Sequence, residues 1–369
     1  MGVRGSNHVY LWYTGSIMKI AVLVSGGVDS SVALHMMKAQ GHDVTAFYLK
    51  IWLEDELSFL GICPWEEDLA YVRAVCEQVG VSLEILSLQK EYHEEVVGYT
   101  IAEVKAGRTP NPDILCNQRI KFGAFYTKID DSFDKVVTGH YAQVKEEKGV
   151  FYLCMTPDAI KDQTYFLSHL SQKQLSRAWF PIGNMTKPEV RAYARTHNLP
   201  TKDRKDSQGI CFLGKLKFSE FIKFHMGIKK GDLIEIETGK KMGEHEGFWY
   251  FTIGQRQGIG LSGGPWYVAK KDIATNTVFI SRAYYTEDKI RDSFIIENCS
   301  WLVEKPQKQD LQVKLRHGAA MAPCVVTHLE ADRYHVQLAT RDQGIAPGQF
   351  AVLYDEGICL GGGAISEQL

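Results

Sequence analysis

No Cys-x-x-Cys pair occurs among the eight cysteines of this 369-residue chain. That argues against a zinc ribbon and against the disulfide framework of a small secreted domain, and it fits a reducing cytosol. No uninterrupted apolar run reaches the ~18 residues of a membrane span. Low complexity and internal repeats are absent as well. The net charge is only −2, so the overall balance does not mark a nucleic-acid binder. What remains is 45% hydrophobic and 23% charged residues, the composition of a folded globular protein. At ~150 residues per domain, the length suggests two or three domains.

The small net charge conceals an asymmetry. Residues 54–95 hold eleven Asp/Glu against Arg73 and Lys90, whereas residues 161–230 hold fourteen Lys/Arg against five Asp/Glu. A basic middle segment is the footprint expected for a polyanion, although solvated helix faces produce the same count. Residues 1–17 carry one Arg and a short aromatic patch, without the apolar core or cleavage site of a signal peptide. Met18 stands directly before the first strand pattern, so 1–17 reads as an upstream extension or tag.

The first half alternates strands and helices. KIAVLV (19–24) is continuously apolar, as in a strand buried on both faces. Helical spacing follows over 29–40 and closes on Gly41. Strand patterns at 44–52, 81–88 and 135–142 bracket an amphipathic helix at 68–80. This alternation predicts a parallel sheet with helices on both faces, and ligands at the carboxyl ends of its strands. Helical signals continue to about residue 226, including 188–198 with its early proline. After 230 the chain turns Gly-rich with short β runs, and 292–369 reads as the short strands of a small β-barrel. The predicted division is 18–225 for an α/β nucleotide domain, 226–285 for a small, mainly β central domain, and 286–369 for the barrel.

Strand 20–24 runs straight into Ser25-Gly26-Gly27-Val28-Asp29-Ser30-Ser31. Two glycines admit an anion close to backbone N–H groups, serines add donors, and the following helix adds its positive end. The loop is neither a Walker loop nor a Gly-x-Gly-x-x-Gly turn. It resembles the PP-loop of N-type ATP pyrophosphatases, which grip the β,γ-phosphates while a substrate oxygen is adenylated. Asp29 is suited to hold Mg²⁺ or to cap the helix.

Two cysteines stand in polar surroundings. Cys116 ends Gly107-Arg108-Thr109-Pro110-Asn111-Pro112-Asp113-Ile114-Leu115-Cys116. The prolines stiffen the loop, and Asp113 reads as the N-cap of a helix over 115–127. That places Cys116 in a first turn, where a thiol pKa falls and the thiolate becomes a nucleophile. Asp113 is also near enough in sequence to move a proton. Cys211 lies in Lys205-Asp206-Ser207-Gln208-Gly209-Ile210-Cys211, crowded by Lys202, Arg204, Lys205 and Lys215. Cys63, Cys76, Cys154, Cys299, Cys324 and Cys359 read as structural. One adenylating loop with two thiols suggests that an amide-type oxygen is converted to AMP and then displaced by sulfur.

The SGGVDS loop, GRTPNPDILCN, TGHY (138–141), KDQTYFL (161–167), KDSQGICF (205–212), TIGQRQGIG (252–260) and the late PGQ and LGGG strings occur in this order. Together they resemble the MnmA (TrmU) family of bacterial tRNA-specific 2-thiouridylases, from about residue 18 to the end. The resemblance implies an enzyme that replaces the C2 oxygen of the wobble uridine of Lys, Glu and Gln tRNAs with sulfur. It implies ATP with Mg²⁺, and sulfur carried as a cysteine persulfide from a cysteine desulfurase or relay protein. It further implies no bound metal of the protein's own, a cytoplasmic location and a monomer. By motif, Cys211 carries the persulfide. Cys116 is the catalytic nucleophile, either freeing sulfide through a transient disulfide with Cys211 or assisting the sulfur's attack. Asp113 is the general acid/base. Leu23, Val24, Ser25, Gly26, Gly27, Val28, Asp29, Ser30, Leu49 and Gly139 would bind ATP. Asn111, Pro112 and Asp113 would meet the target base. His140, Lys161, Asp162, Gln163, Arg316, His317 and Gln349 would contact tRNA. Leu49 replaces a common Met, Gln208 a common Thr, and His317 a frequent Tyr or Phe.

Two other readings stay open at this level. A PP-loop ligase acting on a small molecule explains the ATP loop but leaves the thiols, the basic segment and the barrel unused. A non-catalytic RNA-binding module explains the basic segment but not the intact loop and both thiols.

Overall fold

A computed structural model of the chain describes residues 16–51, 64–206, 217–283, 292–342 and 344–368. Cys63, Gln208 and Cys211 lie outside the described residues. Strand β1 (Lys19–Leu23) is apolar throughout because it faces two cores. Ile20 and Val22 pack against helix α1 (Val28–Ala39), whereas Ala21 and Leu23 belong to the opposite layer. β2 (Asp43–Lys50) and β3 (Ser82–Ser87) follow on one side of β1, and β4 (Lys135–Val137) on the other. The chain then forms a hairpin, β5 (Gln143–Glu147) and β6 (Val150–Cys154), and returns as the short β7 (Ala178–Trp179). The sheet order is β3-β2-β1-β4-β7 and every pairing is parallel.

Helices cover both faces, as the pattern predicts. Val32 and Met37 of α1, Val72 and Val75 of α2 (Pro64–Val79), and Val190 and Ala194 of the helix Lys187–Thr196 form one layer. Tyr92, Val104, Ile120, Phe122 and Phe125 form the other. Because β2 and β4 flank β1, the chain reverses its direction of travel there. The crevice at the carboxyl ends of β1 and β4 is therefore the ligand position of such a sheet.

The central domain is a four-stranded sheet of β8 (Gly231–Glu235), β9 (Lys241–His245), β10 (Tyr267–Asp272) and β11 (Thr277–Ser281), around Leu233, Trp266, Val268 and Ile280. The C-terminal domain comprises β12 (Ser293–Trp301), β13 (Asp310–Lys314), β14 (Ala322–His328), β15 (Tyr334–Leu338), β16 (Phe350–Asp355) and β17 (Ile358–Gln368). Its pairings are antiparallel, and β12 pairs with both β15 and β17, which closes a six-stranded barrel. The hairpin β5–β6 does not join the parallel sheet. It adds to the outside of β17, with Leu153 opposite Cys359.

A buried ion pair fastens the barrel to the nucleotide domain. Lys314 of β13 donates to Asp162 at 3.0 Å, and both side chains are 0% exposed. Thr164 Oγ1 and the Thr156 amide donate to the same carboxylate. Removing one partner strands the other charge, so Lys314→Met should cost about 3–5 kcal/mol of stability, read by urea unfolding. Lys314→Met combined with Asp162→Asn should be the less damaged protein. Additive losses would contradict the pairing.

Candidate active site

The Ser25–Ser31 loop sits at the end of β1 and opens into α1. Gly26 adopts φ +76°, and a Cβ there would lie 2.7 Å from Arg204 Nη1 and 2.7 Å from the Asp68 carbonyl oxygen. Only glycine fits both constraints. Ser30 Oγ accepts from the Ser25 amide (3.2 Å) and donates to the Gly27 carbonyl (3.1 Å), and Ser31 Oγ donates to the same carbonyl at 2.9 Å. The turn is thus braced from inside, with α1's first amides at its mouth. Leu23 and Val24 are buried beneath it, the Val24 amide donates to Phe47 O, and Leu49 is half-buried at the end of β2. Gly139, after β4, packs directly on the first turn of α1, where a Cβ would come within 2.6 Å of Ser30 N.

Asp29 leads into a charged cluster. Tyr141 Oη donates to its Oδ1 (2.9 Å), and Lys187 Nζ reaches Oδ1 and Oδ2 at 2.7 and 2.8 Å. The same ammonium lies 2.8 Å from Asp206 Oδ1. Arg191 and Lys161 complete the grip on Asp206 at 2.5 and 2.9 Å. Burial opposes ionisation of Asp206, but the hydrogen bonds from Lys187 and Lys161 outweigh it and hold the carboxyl well below its ordinary range. Burial, reinforced by Asp29, raises Tyr141 well above its usual value, so it stays a donor. Arg204 crosses the loop, donating to Gly26 O at 2.7 Å, pairing with Asp68 and lying over the Tyr71 ring. Lys187 and Arg191 carry no site signal in the sequence; Tyr141 and Asp206 enter only through the motifs that contain them, and Arg204 only as a basic neighbour of Cys211. They converge only through tertiary folding.

The thiol loop differs from its expected start. Asn111, not Asp113, is the N-cap: its side chain accepts from the Ile114 amide, and Pro112 occupies the first turn of helix α3 (Pro112–Leu115). Proline, with fixed φ and no amide, suits that turn, and Asn caps strongly. Asp113 lies in the first turn. Cys116 begins a π-helical stretch, Cys116–Ala124, and is only 2% exposed within the apolar layer. A π segment inside a helix often marks a functional site. Asn117 Nδ2 donates to Phe166 O at 3.1 Å, and Lys121 Nζ to Asn117 Oδ1 at 3.0 Å. Cys211 lies outside the described residues, five positions beyond Asp206. Burial pushes the Cys76 thiol up to about 11 and the Cys324 and Cys359 thiols up to about 12, which suits inert packing.

Three hydrogen bonds and one short stretch of chain connect the phosphate loop to the thiol loop. Asp29 accepts from Tyr141, and the Tyr141 amide donates to Gln163 Oε1 at 2.9 Å. Two residues on, Tyr165 Oη accepts from Asn111 Nδ2 and donates to Phe350 O at 3.1 Å. Lys161, Asp162 and Gln163 are all engaged internally, with Asp206, Lys314 and the TGHY backbone respectively. Asp162 and His140 are buried. His140 Nδ1 bonds Thr138 Oγ1 at 2.7 Å. Arg316 is exposed and bidentate to Asp342, and His317 stacks on Phe166 at 5.0 Å. Gln349 Oε1 is buried with no hydrogen-bond partner among the described residues.

Burial, with Lys121 adding to it, holds the His140 pKa far below 6.5, and burial lowers His169 to about 4. Below pH 6.5 the unfolded chain takes up protons that the native state refuses. Stability is therefore full above that pH and falls as pH drops, by up to ~1.4 kcal/mol per unit for each histidine. Urea unfolding at pH 7, 6 and 5 should show a shallower loss for His169→Leu than for the parent. Equal slopes would contradict the burial account.

A parallel sheet bearing Ser-Gly-Gly-x-Asp-Ser at its switch point defines a nucleotide-dependent enzyme of the PP-loop class. Family profiles match the whole architecture: a tRNA methyl transferase HUP domain over residues 18–215, a tRNA methyl transferase PRC-barrel domain over 219–282, and an aminomethyltransferase beta-barrel domain over 291–365. The chain is 44% identical over 358 residues to the tRNA-specific 2-thiouridylase MnmA of Parabacteroides distasonis, covering 95% of this chain and 99% of that protein. MnmA 1 of Bacteroides thetaiotaomicron is 44% identical over 95% of this chain and all of its own length. The Porphyromonas gingivalis protein is 42% identical over 95% of this chain and 99% of its own. The chain belongs to the tRNA-specific 2-thiouridylase family, MnmA. Among the described residues, no helix is long and apolar enough to cross a membrane.

Proposed function

We propose that the chain is an ATP-dependent tRNA-uridine 2-sulfurtransferase acting on the wobble uridine of Lys, Glu and Gln tRNAs. One observation carries the reading most: the route that runs by hydrogen bonds from Asp29 to Tyr141 and Gln163, along the chain to Tyr165, and by a further hydrogen bond to Asn111, which ties the nucleotide loop to the loop bearing Asp113 and Cys116. Family membership supplies the substrate class.

ATP occupies Leu23–Ser30 with Leu49 and Gly139. The loop amides and serines hold its β- and γ-phosphates. Mg²⁺ arrives with ATP, and Asp29 fits it: a single carboxylate, about a third exposed, suits an ion otherwise held by phosphates. The uracil C2 oxygen attacks the α-phosphorus and pyrophosphate leaves. Sulfur then adds at C2 and AMP leaves, giving 2-thiouridine. Cys211 carries the sulfur as a persulfide received from a cysteine desulfurase or relay protein. Cys116 either attacks the Sγ of Cys211, releasing hydrosulfide that adds at C2, or, after the persulfide itself has added at C2 and AMP has left, attacks the same Sγ to break the S–S bond and free the 2-thiouridine; both routes leave a Cys116–Cys211 disulfide for an external thiol to reduce. Asp113 moves the proton. Asn111, Pro112 and Asp113 meet the base, and Lys161, Arg316, His317 and Gln349 contact the RNA. His140, Asp162 and Gln163 shape that surface from behind. The enzyme acts as a cytoplasmic monomer.

The test is ATP turnover with and without unmodified tRNA. AMP and pyrophosphate should appear only with tRNA, and tRNA affinity should fall steeply between 50 and 200 mM salt as phosphate contacts release counterions. AMP formed without RNA, or a flat salt response, would favour the small-molecule ligase.

A further inference from the structure

The loop 107–111 is gripped at successive points by all three domains, and the central domain's part in this is explained neither by nucleotide binding nor by RNA contact. Gly107, at φ +72°, abuts the central domain: a Cβ there would lie 2.7 Å from Ile273 Cδ1 and 3.7 Å from Phe248 Cε2. Ile273 is 45% exposed and stands apart from the central domain's own apolar cluster, so that core does not account for it. Its turn is nonetheless held firmly. Asp272 Oδ1 accepts from the Ala274 and Thr275 amides. Asn276, 2% exposed and at φ +53°, accepts from the Phe248 amide and donates to Lys229 O and Lys230 O, both at 2.9 Å.

The barrel holds the other side. The Thr109 amide donates to Pro347 O at 2.8 Å. Gly348, at φ +88°, lies so close that a Cβ would come within 2.8 Å of Arg108 Cβ and 2.9 Å of both Thr109 N and Thr109 O. The Gly348 amide is itself anchored on Ile365 O. Two residues beyond Thr109, Asn111 is tied to Tyr165, and Pro110 and Pro112 stiffen the path into the helix that carries Cys116.

We infer that Ile273 of the central domain and Gly348 of the barrel are positioning residues, a two-sided clamp that sets where Asp113 and Cys116 stand relative to the bound base. The inference rests on the sulfur-transfer reading of that loop. Neither residue touches the reacting atoms; each acts through the backbone of 107–109. A clamp of this kind governs the chemical step, because a misplacement of about 1 Å costs on the order of 10²-fold in rate.

The experiment compares Gly348→Ala, Ile273→Ala and Ile273→Val with the parent enzyme in 2-thiouridine formation, with thermal midpoints in parallel. For Gly348→Ala the added methyl meets backbone, so kcat should fall ~100-fold, and for Ile273→Ala ~10-fold, with KM for tRNA and ATP within about twofold of the parent. Ile273→Val keeps the Cγ1 position but loses Cδ1, the atom nearer Gly107, so its kcat should fall between those of Ile273→Ala and the parent. If Gly348→Ala does not fold, the Ile273 pair decides alone. An unchanged kcat in Ile273→Ala overturns the clamp, as does a rise in tRNA KM with kcat intact, which would make Ile273 an RNA contact. If the parent enzyme makes no thionucleoside, it is the reading of the activity that fails.

Discussion

Serine in place of Cys116 should stop turnover, with single-turnover 2-thiolation reduced at least ~10³-fold, while Cys211 still takes up persulfide sulfur. A hydroxyl at that position is neither a comparable nucleophile nor a partner for a disulfide. The protein should fold as the parent does, because serine replaces a nearly isosteric group at the start of the Cys116–Ala124 stretch. Cys211→Ala should give the complementary result, no persulfide and no product. Labelled sulfur from a cysteine desulfurase, followed by peptide mass spectrometry, separates the two. Label retained in Cys116→Ser and lost in Cys211→Ala is the expected pattern. Label on a third cysteine, or full thiolation by Cys116→Ser, would overturn the assignment.

The second large effect concerns Lys187. Its ammonium lies between Asp29 and Asp206, 13% exposed, and methionine would keep the stem while removing a charge that bridges the two. Pyrophosphate release should fall ~100-fold, because Asp29, at the first turn of the phosphate-loop helix, would lose the cation that fixes its position, and a misplacement of about 1 Å costs on that order. Asp206 keeps Lys161 and Arg191 and should stay ionised. Asp29 loses its cation. Combining Lys187→Met with Asp29→Asn should therefore cost less than the sum of the single changes. Strict additivity in pyrophosphate release would show that the two residues act independently.

Much of this was legible in the chain. KIAVL announced a doubly buried strand because both of its faces meet helices, and SGGVDS announced the turn that follows. The change of character after residue 230 foretold two β domains. The less legible parts are those decided by contacts between distant residues. The capping residue was misread because Asn111 and Asp113 are both strong caps, and only Pro112, already seated in the first turn, selects Asn111. The π-helical stretch has no local signature. The β5–β6 hairpin carries ordinary strand patterns, and its docking on β17 pairs residues about 200 positions apart. The motif KDQ pointed to a contact surface. The fold also uses Lys161, Asp162 and Gln163 to join three parts of the molecule, a role the motif alone does not disclose. Lys187 is one lysine among fourteen basic residues in the sequence, and the helix Lys187–Thr196 brings it to Asp29.

The most direct measurement combines the purified chain with unmodified tRNA for Glu, ATP-Mg²⁺ and sulfide, followed by digestion and mass spectrometry of the nucleosides, with a control lacking ATP. The account predicts 2-thiouridine that depends on ATP. A folded sample that binds ATP yet yields neither 2-thiouridine nor tRNA-dependent AMP would contradict it.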